Sequence, residues 1–143
     1  MRLPVLGQFI IGAIAGLAFV VGAAAFEPPR GSQSRAEILQ SLRTRVERDI
    51  GPPVEFVIER MNLVNGWAFV SATPQRRGGA KVDWSRTRFA DAFAADAMSD
   101  AVLALLRQEG GRWRVIEYAL GPTDVAWEEW ILKYRLPRSF FLQ

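Results

Sequence analysis

The sequence predicts an α+β fold: a four-stranded antiparallel sheet made of two hairpins, packed by an N-terminal amphipathic helix and a C-terminal helix. Three observations predict it. Apolar residues recur at helical spacing from 34 to 50; two short turn signals, Asn65-Gly66 and Gly110-Gly111, each separate runs that suit strands; and the stretch WRVIEYALGPTDVAWEEWILKY at 113–134 passes from strand to helix across a Gly-Pro turn. With 143 residues and 50% hydrophobic composition the chain holds one domain with a real core, once the N-terminus is set aside.

The first helix is expected to start at Ser34, where Ser34 and Glu37 form an S-x-x-E capping box. Ala36, Ile38, Leu39, Leu42, Val46 and Ile50 line its apolar side. Arg43, Arg45, Glu47 and Arg48 stand opposite, with Arg43 placed to pair with Glu47 one turn on. Gly51-Pro52-Pro53 stops the helix. From Val54 to Val64 the β-branched and aromatic content reads as a strand, with Val54, Phe56 and Ile58 on one face and Val57 on the other. Asn65-Gly66 is a type I′ turn signal, because both residues tolerate positive φ, and Trp67 to Thr73 returns as the partner strand until Pro74 closes it.

Residues 75–99 form a long connection. It carries Arg76, Arg77, Lys81, Arg86 and Arg88, which read either as a solvated loop or as an anion-binding one, and Phe89 and Phe93 permit a short helix. Ala101 to Gln108 is helical by composition but is joined so closely to Trp113 that a hairpin is the economical reading. Leu103 and Leu105 then face one way and Val102, Ala104 and Leu106 the other, as in a central strand covered on both sides. In the next strand Trp113, Val115 and Glu117 alternate with Arg114, Ile116 and Tyr118. Thr123 is the expected N-cap of a helix beginning near Asp124, in which Trp127, Trp130, Ile131 and Tyr134 share one face. After Leu136-Pro137 the tail SFFLQ is too apolar to stay in water and is expected to pack on the domain or on a partner.

Residues 1–25 have the features of a signal peptide. Leu3 to Phe26 carries no charge, Arg2 and the terminal amine supply the positive region, and Ala23-Ala24-Ala25 presents small residues for cleavage. The same 24 residues are long enough to span a bilayer, so an uncleaved anchor through residues 3–26, with a Gly12/Gly16 helix-pairing motif, is the alternative. Residues 26–33 read as a linker and 34–143 as the domain. Either way the domain is expected outside the inner membrane: periplasmic or secreted after cleavage, or anchored and facing the periplasm.

The chain has no cysteine and no histidine. That excludes a disulfide framework, thiolate catalysis, Ser-His-Asp and Cys-His arrangements and a zinc-thiolate site. There is no Gly-rich phosphate loop, and no cofactor is indicated. The formal charge is +3, and 16 of the 18 basic residues are arginine, a bias that a GC-rich genome produces by itself; in an exported chain the basic excess suggests anionic envelope surfaces or acidic partners rather than nucleic acid.

The candidate binding residues cluster around the Gly-Pro turn: Trp113, Glu117, Asp124, Trp127, Glu128 and Trp130. The tryptophans are either core residues that lock the helix to the sheet or walls of a ligand groove with acidic side chains at its mouth. Glu117, Asp124 and Glu128 are paired carboxylates of the kind a glycosidase or a hard-cation site uses, or else they serve the helix terminus and a neighbouring arginine. Asp91, Asp96 and Asp100 lack the spacing of a calcium loop. Arg112 and Arg114, flanking Trp113, could meet anions or sugars.

A helix laid across an antiparallel sheet resembles cystatin-like and NTF2-like architectures. The segments RAEILQSLR (35–43), NGWAF (65–69) and GRWRVIEYALGPTDVAW (111–127) resemble a group of small exported bacterial proteins of unknown function that carry a GRWRVxEYxxGPTDVAW motif. This resemblance spans most of 34–134 and implies no activity. The expected function is a non-enzymatic envelope module that binds a small ligand or a partner protein. The alternatives are a membrane-anchored accessory subunit that uses the FFL tail to dock, and a carboxylate-dependent hydrolase.

Overall fold

The computed structural model describes residues 22–143. The expected signal peptide or anchor at 1–25 thus lies almost wholly outside the described residues. Among the described residues no helix is long and apolar enough to cross a membrane. The elements run α1 (Gln33–Ile50), β1 (Glu55–Val64), β2 (Trp67–Gln75), two 3₁₀ turns (Arg77–Gly79 and Trp84–Arg86), α2 (Ala90–Ala94), β3 (Val102–Glu109), β4 (Arg112–Leu120), α3 (Trp127–Tyr134) and α4 (Ser139–Leu142). The four strands make one antiparallel sheet in the order β1-β2-β3-β4. The fold is therefore α+β, with the two hairpins side by side.

α1 and the two C-terminal helices take opposite faces of that sheet. Ile38, Leu42, Val46 and Ile50 of α1 form one core with Met61, Leu63, Ala68, Val70, Ala72, Val102, Ala104, Leu106 and Trp113. Trp127 and Trp130 of α3, Leu136, and Phe140 and Phe141 of α4 form the other with Val64, Phe69, Leu103 and Leu105. β3 is buried on both faces with the split its alternation dictates.

Two bulges keep this division. In β1 the register shifts between Ile58 and Arg60, so Phe56, Ile58, Met61 and Leu63 all turn to the α1 side although their spacing changes parity. The extra residue, Glu59, is held by the hydroxyls of Ser71 and Thr73, each 3.1 Å away. In β4 the register shifts at Ile116. This corrects the simple alternation expected there: Trp113 and Val115 face α1 together with Tyr118 and Leu120, while Glu117 and Ala119 face the C-terminal helices. Trp113 and the α3 tryptophans consequently lie on opposite sides of the sheet.

α1 starts earlier than the capping box suggests. Its N-cap is Ser32, whose hydroxyl accepts from the Arg35 amide at 3.3 Å, and Ser34 lies within the helix. Arg35 is itself buried, donating to Glu27 Oε1 at 3.1 Å and to the Pro28 carbonyl at 3.2 Å. Phe26 exchanges two backbone hydrogen bonds with Leu63. Residues 26–33 are thus tied to the domain on both sides. Arg43 and Glu47 do not pair with each other. Arg43 Nε donates to the Val54 carbonyl at 2.9 Å, and Glu47 Oε1 accepts from the Val54 amide at 3.0 Å, so the two side chains satisfy both backbone polar groups of the first residue after the prolines.

The Asn65-Gly66 turn has positive φ at both residues, as a type I′ hairpin requires. Pro74 stays within β2, opposite Phe56, because β3 pairs with β2 only as far as Ala72. Beyond that point β2 is paired on one side, where a missing N–H is tolerated. The long connection buries Val82 and Trp84 in the α1 core. Its Arg76 closes the C-terminus of α1, donating to the carbonyls of Ile50, Gly51 and Pro53 at 2.5–3.2 Å.

α3 begins at Trp127, three residues after the expected start, and neither Thr123 nor any other side chain caps it. The turn before it is fastened elsewhere. Ser99 Oγ donates to the Pro122 carbonyl, and Gly121 donates to the Ala101 carbonyl. Gly121 has a φ of +71°, and a Cβ there would stand 2.6 Å from Met98 Cε. The SFFLQ tail turns back onto its own domain. Phe140 and Phe141 are fully buried, with Phe141 stacked on Trp127 (centroids 5.4 Å, planes 9° apart). Asn62 Nδ2 donates to the carbonyls of Phe140 and Gln143, and Arg60 donates to that of Phe141.

Candidate functional site

An open groove runs between α1 and the free edge of β4. It has a volume of about 600 Å³ and is lined by Ser41, Thr44, Arg45 and Arg48 from α1 and by Trp113, Arg114, Val115 and Ile116 from β4, with Glu109 at its rim. A smaller groove of about 320 Å³, bounded by Glu37, Gln40, Gly111 and Arg112, adjoins it and shares Ser41 and Trp113. The local sequence builds it directly. Apolar residues of α1 settle on the sheet, the next positions around the helix carry Arg45 and Arg48 toward β4, and the Gly110-Gly111 turn brings Arg112 and Arg114 up opposite them.

Two of these arginines are held in place and two are free of ion pairs. Arg45 bonds Asp49 at 2.8 Å and lies over the Tyr118 ring at 4.4 Å, and Arg114 approaches Glu109 at 3.6 Å. Neither Arg48 nor Arg112 makes an ion pair among the described residues. The wall between them is Trp113, whose carbonyl accepts from Ser41 Oγ at 2.9 Å, and whose indole N–H is buried without an acceptor. The hydroxyl of the half-buried Tyr118 is likewise enclosed without a partner. Burial, aided by the Asp49 carboxylate, pushes its ionisation far above the ordinary value, so it stays neutral. The groove therefore offers guanidinium donors beside the Trp113 side chain, the kind of group that binds an anion.

The six residues marked out around the Gly-Pro turn do not form one site. Trp113 lines the α1 groove, while the other five lie toward the opposite face. Trp127 and Trp130 are buried in the second core, so the indoles are packing groups rather than walls of an open cleft. Glu117 is bound by Lys133 and, at 2.5 Å, by the Tyr134 hydroxyl. Burial raises its pKa, but those two hydrogen bonds and the Lys133 charge together outweigh burial and hold it below the ordinary carboxylate value. Glu128 pairs with Arg138 at 3.0 Å, and Asp124 is exposed without a hydrogen bond among the described residues. Among those residues no three acidic side chains are grouped so as to hold a metal ion.

Arg45 and Arg48 were not marked out by the sequence because they read as the solvated face of an amphipathic helix. The signal that could have found them is their recurrence beside Arg112 and Arg114 once the second hairpin is placed against α1. In the long connection Arg76 and Arg88 serve α1 instead, Arg88 bonding Asp49 at 2.8 Å. No family model, no curated protein and no solved structure matches this chain.

Proposed function

We propose that this chain is a non-enzymatic, exported module of the bacterial cell envelope that binds an anionic partner in the groove between α1 and β4. The observation that carries the reading is the arrangement of Arg45, Arg48 and Arg114 around the larger groove and of Arg112 on the smaller one that adjoins it, with Trp113 shared by both; the nearby carboxylates are Glu37 and Glu109 on the lining and Asp49 paired with Arg45. Guanidinium groups bind carboxylates and phosphates through paired hydrogen bonds, which gives orientation as well as attraction. Of the three carboxylates that would serve a hydrolase, Glu117 is committed to Lys133 and Glu128 to Arg138. Location in the periplasm follows from the uncharged run at 3–26 and its small-residue end; retention of that run would leave the domain anchored on the same side of the membrane. Kinship with the small exported proteins that carry the GRWRVxEYxxGPTDVAW motif, and with cystatin-like or NTF2-like folds, belongs to the same proposal.

The test is a titration of the full chain, in mild detergent, with polyglutamate at low ionic strength. The double variant Arg48→Glu/Arg114→Glu should bind at least about tenfold more weakly, since two charge-assisted contacts are reversed, and wild-type binding should fall with added salt. Arg77→Glu/Arg86→Glu, the same charge change in the long connection, should bind as wild type does. Equal losses in the two double variants, or no binding by the wild type, would contradict the reading.

A further inference from the structure

We propose that the occupant of this groove is an acidic, extended polypeptide segment that adds to the sheet as a fifth strand beside β4. The inference rests on the groove reading above and specifies its partner. β4 is an edge of the sheet, hydrogen-bonded to β3 alone. Glu109 and Arg112 flank a two-residue turn and so form its hydrogen-bonded closing pair; antiparallel pairs then alternate, and the peptide groups of Trp113 and Val115 turn away from β3. Two bonds outside the hairpin agree with this phase. Gln108 sends its amide to Gly66 on the β2 side, and Gly121 donates to Ala101, which places Tyr118 and Leu120, past the bulge at Ile116, on the outward phase as well.

α1 takes the first of these edge groups for itself, through Ser41 and the Trp113 carbonyl. The outward peptide groups of Val115, Tyr118 and Leu120 have no such cover, and the groove opens beside the start of that run. The opposite edge differs: β1 is already paired at Leu63 by Phe26. A strand laid along β4 gains main-chain hydrogen bonds from the edge and side-chain contacts from the groove, the mode in which extended peptides join exposed sheet edges. Charge selects the partner. The groove beside this edge carries the guanidiniums of Arg45, Arg48 and Arg114, with Arg112 adjoining, so a partner of net positive charge is opposed. A segment with alternating carboxylates meets those guanidiniums with opposite charge.

The experiment uses the full chain in mild detergent and two synthetic decapeptides of alternating Glu and Val, one unmodified and one N-methylated at every backbone amide. Both carry the same charge, but only the first can donate hydrogen bonds to the β4 edge. The expected result is that the unmodified peptide binds at least about tenfold more tightly, as two or three added hydrogen bonds imply. Amide exchange at Val115, Tyr118 and Leu120 should slow when it is bound. Equal binding of the two peptides, with no slowing of exchange, would overturn strand addition while leaving the anionic groove intact. Failure of both peptides and of polyglutamate to bind would overturn the groove reading itself.

Discussion

Ser32, Glu117 and Asn62 show how single side chains decide the local structure. The S-x-x-E pattern at Ser34 and Glu37 is a sound helix-start signal, yet the cap falls two residues earlier, because Arg35 is drawn into the Glu27–Pro28 segment and α1 is extended to meet it. Ser32→Ala should therefore cost about 1 kcal/mol in chemical denaturation, and Ser34→Ala close to nothing. Asn62 satisfies two carbonyls of the C-terminal turn. Its replacement by Ala should cost about 1–3 kcal/mol, since the Phe140 carbonyl keeps its burial and loses its donor. Glu117 is visible in the sequence as a carboxylate near the Gly-Pro turn. Its partners, Lys133 and Tyr134, lie 16 and 17 residues further on and become neighbours only when α3 folds back.

At the scale of elements, strand and helix identities are legible and their faces are less so. The Asn-Gly hairpin, the two-sided burial of β3 and the apolar stripe of α3 all follow from spacing. The bulges at Glu59 and Ile116 do not: each inserts one residue into the ladder, and the Ser71 and Thr73 hydroxyls that hold Glu59 lie on the neighbouring strand, where periodicity cannot see them. The second bulge is what separates Trp113 from Glu117 and dissolves the site expected around the turn.

The attachment of α3 should depend on pH at both ends. Because Glu117 has a folded pKa below its ordinary 4.5, its contribution is present above 4.5 and is lost as pH falls through the lowered value. Lys133 is raised above 10.5, mainly by its bond to Glu117, and Tyr134 above 10.0, by desolvation and then by Glu117. Their contribution is present below those values and is lost as pH rises through the raised ones. Near-ultraviolet circular dichroism of the Trp67–Tyr134 contact should report both transitions, and Glu117→Gln should abolish the acid one. Phe141→Ala, which removes the stack on Trp127, should cost about 3–5 kcal/mol by denaturant titration.

For the whole molecule, the sheet is a partition. One side, with the aromatic core of α3 and α4, is closed by the chain's own tail, so Phe140 and Phe141 are not available for docking. The other side carries α1 and leaves a basic groove along the β4 edge. The basic excess of the sequence suggests anionic envelope surfaces or acidic partners, and the proposed groove is not legible there, since it requires α1 and the second hairpin to be set side by side. The absence of cysteine leaves packing as the source of stability for a domain expected outside the cytoplasm.

The most direct test of the account is crosslinking in the native cell envelope with a photoreactive residue at Thr44, in the groove, or at Leu132, which is 84% exposed on α3. The account predicts an adduct from Thr44 alone, mapped to an acid-rich extended segment of a periplasmic or membrane-bound protein and lost when Arg48→Glu and Arg114→Glu are added. Adducts from Leu132 with none from Thr44, or a Thr44 adduct indifferent to those two substitutions, would contradict it.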